Sequence, residues 1–180
     1  MSKYYIGFDC GTMGTKTAIY REDSTRMAEA YRENRISYPQ PGWAEMDALG
    51  FVRNVREGVR ECLAKSGVNP GEIRGISASG IICGIVGIDE NWNPVTPFVP
   101  YLDNRARGEA DWVKANVKPV WLEESGNITV DEFMPPLILR WFLNSYSGFG
   151  DKAVKVVNNG PFVLGKLAGL TADKAFLDWA

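Results

Sequence analysis

The chain contains no histidine. That absence excludes, within this sequence, a Ser-His-Asp triad, a Cys-His nucleophile pair and any zinc site that needs imidazole. Cysteine is scarce as well. Cys10, Cys62 and Cys83 are an odd set with no CxxC spacing, too few for a four-thiolate zinc centre and in keeping with reduced thiols in a cytoplasmic protein. The longest stretch without a polar side chain, residues 80–88, is nine residues long, against the roughly 20 that a membrane helix needs. No charged start, apolar core and small-residue cleavage site open the chain, so no signal peptide is read. Positive charge is not in excess: the net charge of −2 argues against a nucleic-acid partner. Carboxylates, hydroxyls, Lys/Arg and backbone amides are left to carry any chemistry.

The 180 residues are 45% hydrophobic and 23% charged, which suits one domain burying roughly 70% of its surface. Residues 4–10 and 15–20 read as strands around the turn Gly11-Thr12-Met13-Gly14, and 26–38 as a third, more polar strand. Asp47 is placed to cap a helix over 48–66, with Val52, Val55, Val59, Cys62 and Leu63 at helical spacing and Gly67 at its C-cap. Strands at 73–79 and 81–89 follow, then helices near 106–115, 132–144 and 161–167 with a short strand near 153–157. Trp112, Trp121 and Trp141 read as core residues. The pattern predicts an α/β domain with a mixed sheet.

The strongest local signal is Asp9-Cys10-Gly11-Thr12-Met13-Gly14-Thr15-Lys16-Thr17. An acidic residue ends a strand, a glycine turn follows, and hydroxyls and a lysine start the next strand. Such a turn can offer backbone N–H groups to phosphate oxygens, with Thr12 and Thr15 as hydroxyl donors and Lys16 as charge. Asp9 can position a hydrated Mg²⁺. The spacing is not that of a Walker A loop, and alternation after Gly14 continues a strand rather than opening a helix. An ordinary Thr-rich hairpin is the plain alternative.

This segment resembles the first phosphate motif of the FGGY carbohydrate kinases, relatives of actin and Hsp70. The resemblance continues at Pro41-Gly42-Trp43-Ala44-Glu45-Met46-Asp47, in residues 76–89, and in Tyr101-Leu102-Asp103-Asn104-Arg105, similar to that family's Trp-x-Asp-x-Arg. Ser125-Gly126-Asn127 and Lys166-Leu167-Ala168-Gly169 echo it further. The resemblance implies an RNase H-like (actin-like ATPase) α/β domain of order βββαβ(β)α, with a mixed sheet and helices on both faces. It implies transfer of the γ-phosphoryl of ATP, with Mg²⁺, to a sugar or polyol, a xylulose-like ketose being favoured. Gly11, Thr12, Gly14, Thr15 and Lys16 would bind phosphate, with Asp9 at the metal. Ile82, Cys83, Tyr101, Asp103 and Arg105 would line the sugar pocket. Asp103 and Arg105 suit a polyol chemically, as acceptor and forked donor; without the resemblance they read as a surface ion pair worth little.

Two departures bear on the substrate. Xylulose kinases carry Gln-Met-His-Gly where this chain has Ile81-Ile82-Cys83-Gly84, and Tyr101 stands in place of tryptophan. The family's enzymes are longer, with two domains enclosing ATP and sugar, so residues 1–180 are read as a truncated N-terminal domain whose general-base Asp lies beyond Ala180. The face meeting the missing part is expected to be partly apolar and to favour a homodimer. A non-catalytic sugar- or nucleotide-binding remnant is the alternative. An RNase H-like nuclease fits poorly, because it needs a carboxylate on the fourth strand and 73–79 carries none.

Overall fold

The structure, a computed structural model, describes residues 2–177. It opens with an antiparallel meander of β1 (Tyr4–Cys10), β2 (Gly14–Arg21) and β3 (Arg26–Glu33). Alternation in β1 sends Ile6, Phe8 and Cys10 to one side, where all three are buried. The third strand stops short of the expected 38. Asn34 leaves the ladder to bond the β1–β2 turn, and β4 (Ile36–Ser37) pairs instead with β5 (Glu45–Met46) in a separate ribbon.

The first helix, α1 (Ala48–Ser66), has the predicted bounds, with Val52, Val55 and Cys62 buried. Gly67 ends it in the left-handed conformation and donates to the Leu63 carbonyl at 3.0 Å. Gly58, which lowers helix propensity, has a packing reason: a Cβ there would lie 2.6 Å from Thr17 Oγ1. Its absence lets α1 lie close on β2.

β6 (Ile73–Gly80) pairs in parallel with β1, giving a mixed sheet of order β3-β2-β1-β6. β7 (Gly84–Ile88), β8 (Val99–Pro100) and β9 (Lys155–Val157) form a second sheet, order β8-β7-β9. β7 starts three residues after the expected position 81. Ile81 packs inward, but Ile82 is exposed and the backbone bends through Cys83.

The helices of the second half are α2 (Arg107–Asn116), α3 (Lys118–Ser125), α4 (Pro135–Ser145), α5 (Phe149–Lys152) and α6 (Asn159–Ala168). Pro135 and Pro136 begin α4, because first-turn positions need no N–H donor. The expected core tryptophans lie nearer the surface. Trp112 is exposed beneath the Arg140 guanidinium at 3.9 Å, and Trp121 and Trp141 are half-buried. Among the described residues Trp92 is instead the fully buried tryptophan, its indole N–H donating to the Phe162 carbonyl at 3.0 Å.

Helices cover both faces of the second sheet, α4 packing on Ile85 and α6 on Val86 and Ile88 from the other side, whereas the first sheet is covered on one face among the described residues. Phe51, Val52 and Val55 of α1 and Phe162 and Val163 of α6 share one core with Phe8 and Cys10, so both helices cover the same face. The opposite face carries Tyr5, Asp9, Lys16, Tyr20, Tyr31, Ser77 and Ser79 around an open concavity of about 790 Å³. It lacks the aliphatic stripe that a packed helix requires.

Candidate active site

β1 and β6 run in parallel, so the loops that follow them emerge side by side. Cys10 is paired with Gly80, and Ile81 N donates to the Cys10 carbonyl at 3.2 Å. The glycine turn and the 81–83 bend are thereby neighbours. Pairing of Gly84 with Pro100 then sets Cys83 and Ile82 beside Tyr101. Of the expected acceptor-side residues, Ile82 and Tyr101 are exposed and Cys83 is half-buried.

The turn is built to hide its carbonyls. Gly11 N donates to Gly14 O at 3.0 Å, Asn34 Nδ2 to Gly11 O at 2.7 Å, Tyr31 Oη to Met13 O at 3.0 Å, and Asn159 Nδ2 to Cys10 O at 2.7 Å. The amides of Thr12 and Met13 donate to no protein acceptor among the described residues. A turn with its acceptors tied back and its donors open favours an anion. Neither Gly11 nor Gly14 has a positive φ, so the open amides are presented without left-handed glycines.

Two residues expected to touch phosphate have other tasks. Thr15 is buried, and its hydroxyl donates inward to Asn34 Oδ1 at 3.1 Å. Gly14 is also buried; a Cβ on it would lie 2.2 Å from Tyr31 Oη, so its small size admits the tyrosine that braces the turn. Gly11 and Thr12 are half-buried, and exposed Lys16 borders the concavity. Asp9 is half-buried, cross-strand from Lys16 and Ser79 in one row on the open face. No hydrogen bond or ion pair engages the Asp9 carboxylate or the Lys16 ammonium among the described residues. Beside them, burial pushes the Cys10 thiol up to about 12, so it stays protonated and is no nucleophile.

Asp103 and Arg105 depart furthest from expectation. Their side chains are fully buried. The Asp103 carboxylate accepts from Ala44 N at 2.6 Å, Arg105 N and Nε at 2.8 Å, and Arg105 Nη2 at 2.9 Å. Arg105 also reaches Glu45 Oε1 at 2.8 Å and lies 4.1 Å from the Trp43 ring and 5.0 Å from that of Trp141. No lone pair of Asp103 faces the opening. The motifs at 41–47 and 101–105 thus form one clamp, which carries Tyr101 two residues away.

Asn34, Tyr31, Asn158 and Asn159 escaped the sequence reading. Asn158 Nδ2 donates to Gly84 O at 3.1 Å, and Asn54 of α1 donates to Asn34 Oδ1 at 2.8 Å. The one sequence signal was an Asn-Asn pair ahead of an apolar helix. Gly126 and Gly169, in the two weaker echoes, are left-handed C-caps of α3 and α6.

Residues 4–175 match the model of the FGGY family of carbohydrate kinases, N-terminal domain. A glycerol kinase from Agrobacterium fabrum is 29% identical over 157 residues, 86% of this chain and 31% of that protein. Among solved structures, gluconate kinase from Lactobacillus acidophilus has a TM-score of 0.83 at 21% identity, over 92% of this chain and 33% of its own. Xylulose kinase from Rhodospirillum rubrum has a TM-score of 0.81 at 25% identity, over 91% of this chain and 33% of its own. The chain spans about a third of the length of these relatives.

Proposed function

The chain belongs to the FGGY family of carbohydrate kinases, and from that premise we propose that it is the N-terminal half of an ATP-dependent kinase for a small sugar or polyol. One observation carries the reading: the carbonyl-tied turn and the Ile82–Cys83 bend emerge from adjacent parallel strands, with Tyr101 following the strand that pairs with β7, so a phosphate donor and a hydroxyl acceptor would meet at one sheet end. Phosphoryl transfer depends chiefly on such positioning and on charge neutralisation.

In this reading the amides of Thr12 and Met13 bind phosphate oxygens of ATP, and Lys16 adds a cation at the opening. Among the described residues no three carboxylate or cysteine side chains cluster as a metal cage. Asp9 alone fits Mg²⁺, which keeps several waters and takes one or two carboxylates beside nucleotide phosphates. When bound, Mg²⁺ would neutralise developing phosphate charge. The exposed Ile82 and Tyr101 supply an apolar wall for C–H groups of the acceptor, and the buried clamp fixes Tyr101. The general base is assigned to a second domain, in line with relatives about three times as long. A xylulose-like ketose remains the acceptor to try first, with glycerol and gluconate beside it.

The test is a coupled ADP-release assay on the complete protein across these acceptors, with Mg²⁺. Acceptor-dependent ADP release supports the reading, and its absence with every sugar and polyol overturns it. The 180-residue chain alone should make no sugar phosphate; acceptor-dependent turnover by it would place the base within this sequence.

A further inference from the structure

We propose that Asn158 and Asn159 are positioning residues that hold the glycine turn and the 81–83 bend in one fixed relation. The inference rests on the two-sided site just described, though its decisive measurement does not depend on catalysis. Both asparagines are buried, at 6% and 1% exposure, and they are adjacent at the head of α6. Each spends its carboxamide N–H on a different half of the site. Asn159 donates to Cys10 O at 2.7 Å, at the start of the phosphate turn. Asn158 donates to Gly84 O at 3.1 Å, where the acceptor bend enters β7.

The anchor is stiff. α6 shares the main core through Phe162 and Val163, so its first residues move with the sheet and α1 rather than with either loop. A carboxamide is the group this task needs, since both targets are carbonyls and a carboxylate would offer no donor. The backbone between the neighbouring residues 158 and 159 is thus a short rigid link between two loops that the chain itself separates by some 70 residues. A misplacement of about 1 Å between reacting groups can cost about 10²-fold in rate, so a link of this kind bears on turnover and not on either affinity.

Hydrogen exchange on the chain, followed by mass spectrometry, tests the link directly for Asn158→Ser and Asn159→Ser, whose shorter side chains cannot reach the carbonyls. Each single substitution should speed exchange about tenfold in both segments, 10–14 and 81–85, while β3 stays within about twofold. If each substitution loosens only the segment it touches, or neither segment changes, the proposal is overturned. Should the serine variants not fold, native-state exchange of the unsubstituted chain in sub-denaturing urea answers the same question. Opening of 10–14 and 81–85 in one step with one urea dependence supports the link; separate openings overturn it.

Kinetics of the complete protein add the functional arm. There kcat should fall at least about tenfold, with both KM values within about threefold, and the double variant should be no worse than the poorer single one. A rise in one KM at unchanged kcat would refute the positioning role. A wild-type protein inert with every acceptor would refute the kinase reading, and the exchange result would still decide the link.

Discussion

Two of the places where carboxylate and cation approach each other in this chain are built in opposite ways. At the end of β1, Asp9 and Lys16 sit in neighbouring strands facing an open concavity, and no protein partner engages either charge among the described residues. Between β5 and α2, Asp103, Arg105 and Glu45 are drawn together, Asp103 and Arg105 fully buried, and the Asp103 carboxylate is met on both oxygens. Each set joins carboxylate to cation. Engagement separates them: both oxygens of Asp103 are met by internal donors and only Nη1 of the buried Arg105 lacks a partner, whereas a charge left unengaged at an opening is available to a ligand.

The contrast breaks first at Asp103. Asp103→Ala should strand Arg105 in a buried site and cost about 3–5 kcal/mol of stability, read as a shifted urea midpoint. A loss below about 1 kcal/mol, with weakened acceptor use alone, would return Asp103 to the sugar wall. Asp9→Asn should do the reverse. Stability should stay within about 0.5 kcal/mol, as for a surface change, while kcat of the complete protein falls by roughly 10²–10³. Wild-type turnover in that variant would remove Asp9 from the chemistry.

A smaller effect sharpens the account of the turn. Gly14→Ala should destabilise by about 1–3 kcal/mol through its clash with Tyr31, and Tyr31→Ala should recover much of that loss in the double variant. Additive losses would show that Gly14 is needed for another reason. The smallest effect concerns pH. The Cys10 thiol is raised by burial from 9.0 to about 12, so the folded state holds a proton that the unfolded state releases. Its contribution is therefore fully present below about pH 9 and is lost as pH rises from 9 towards 12. Denaturation midpoints from pH 8 to 10 should fall in wild type and fall less in Cys10→Ala.

Much of the meander and α1 was legible because strand alternation, helical spacing and a terminal glycine agreed at residues 4–21 and 48–67. The bend at 81–83 was not, since an unbroken apolar run looks like a strand even when Ile82 points to solvent. The short helices α3 and α5 carry little periodicity to detect. Asp103 and Arg105 were found by identity, but sequence does not say whether a charge is saturated. The asparagine braces were invisible for a related reason. Their partners are backbone carbonyls, which every residue has, and Asn159 reaches one 149 positions away.

The tryptophans around Arg105 also make the clamp visible to light. Trp43 and Trp141 lie with ring centroids 5.2 Å apart and planes at 85°, close enough and skewed enough for their indole transitions to couple. Coupled indoles are expected to give a paired positive and negative circular dichroism band that neither shows alone, lost once the rings separate; its absence in near-ultraviolet and far-ultraviolet spectra would show the transitions uncoupled. The architecture thus contains an optical gauge of the wall that carries Tyr101. Trp141→Phe supplies the blank, and a stopped-flow trace of that band during acceptor binding would time any movement of the wall without an added label.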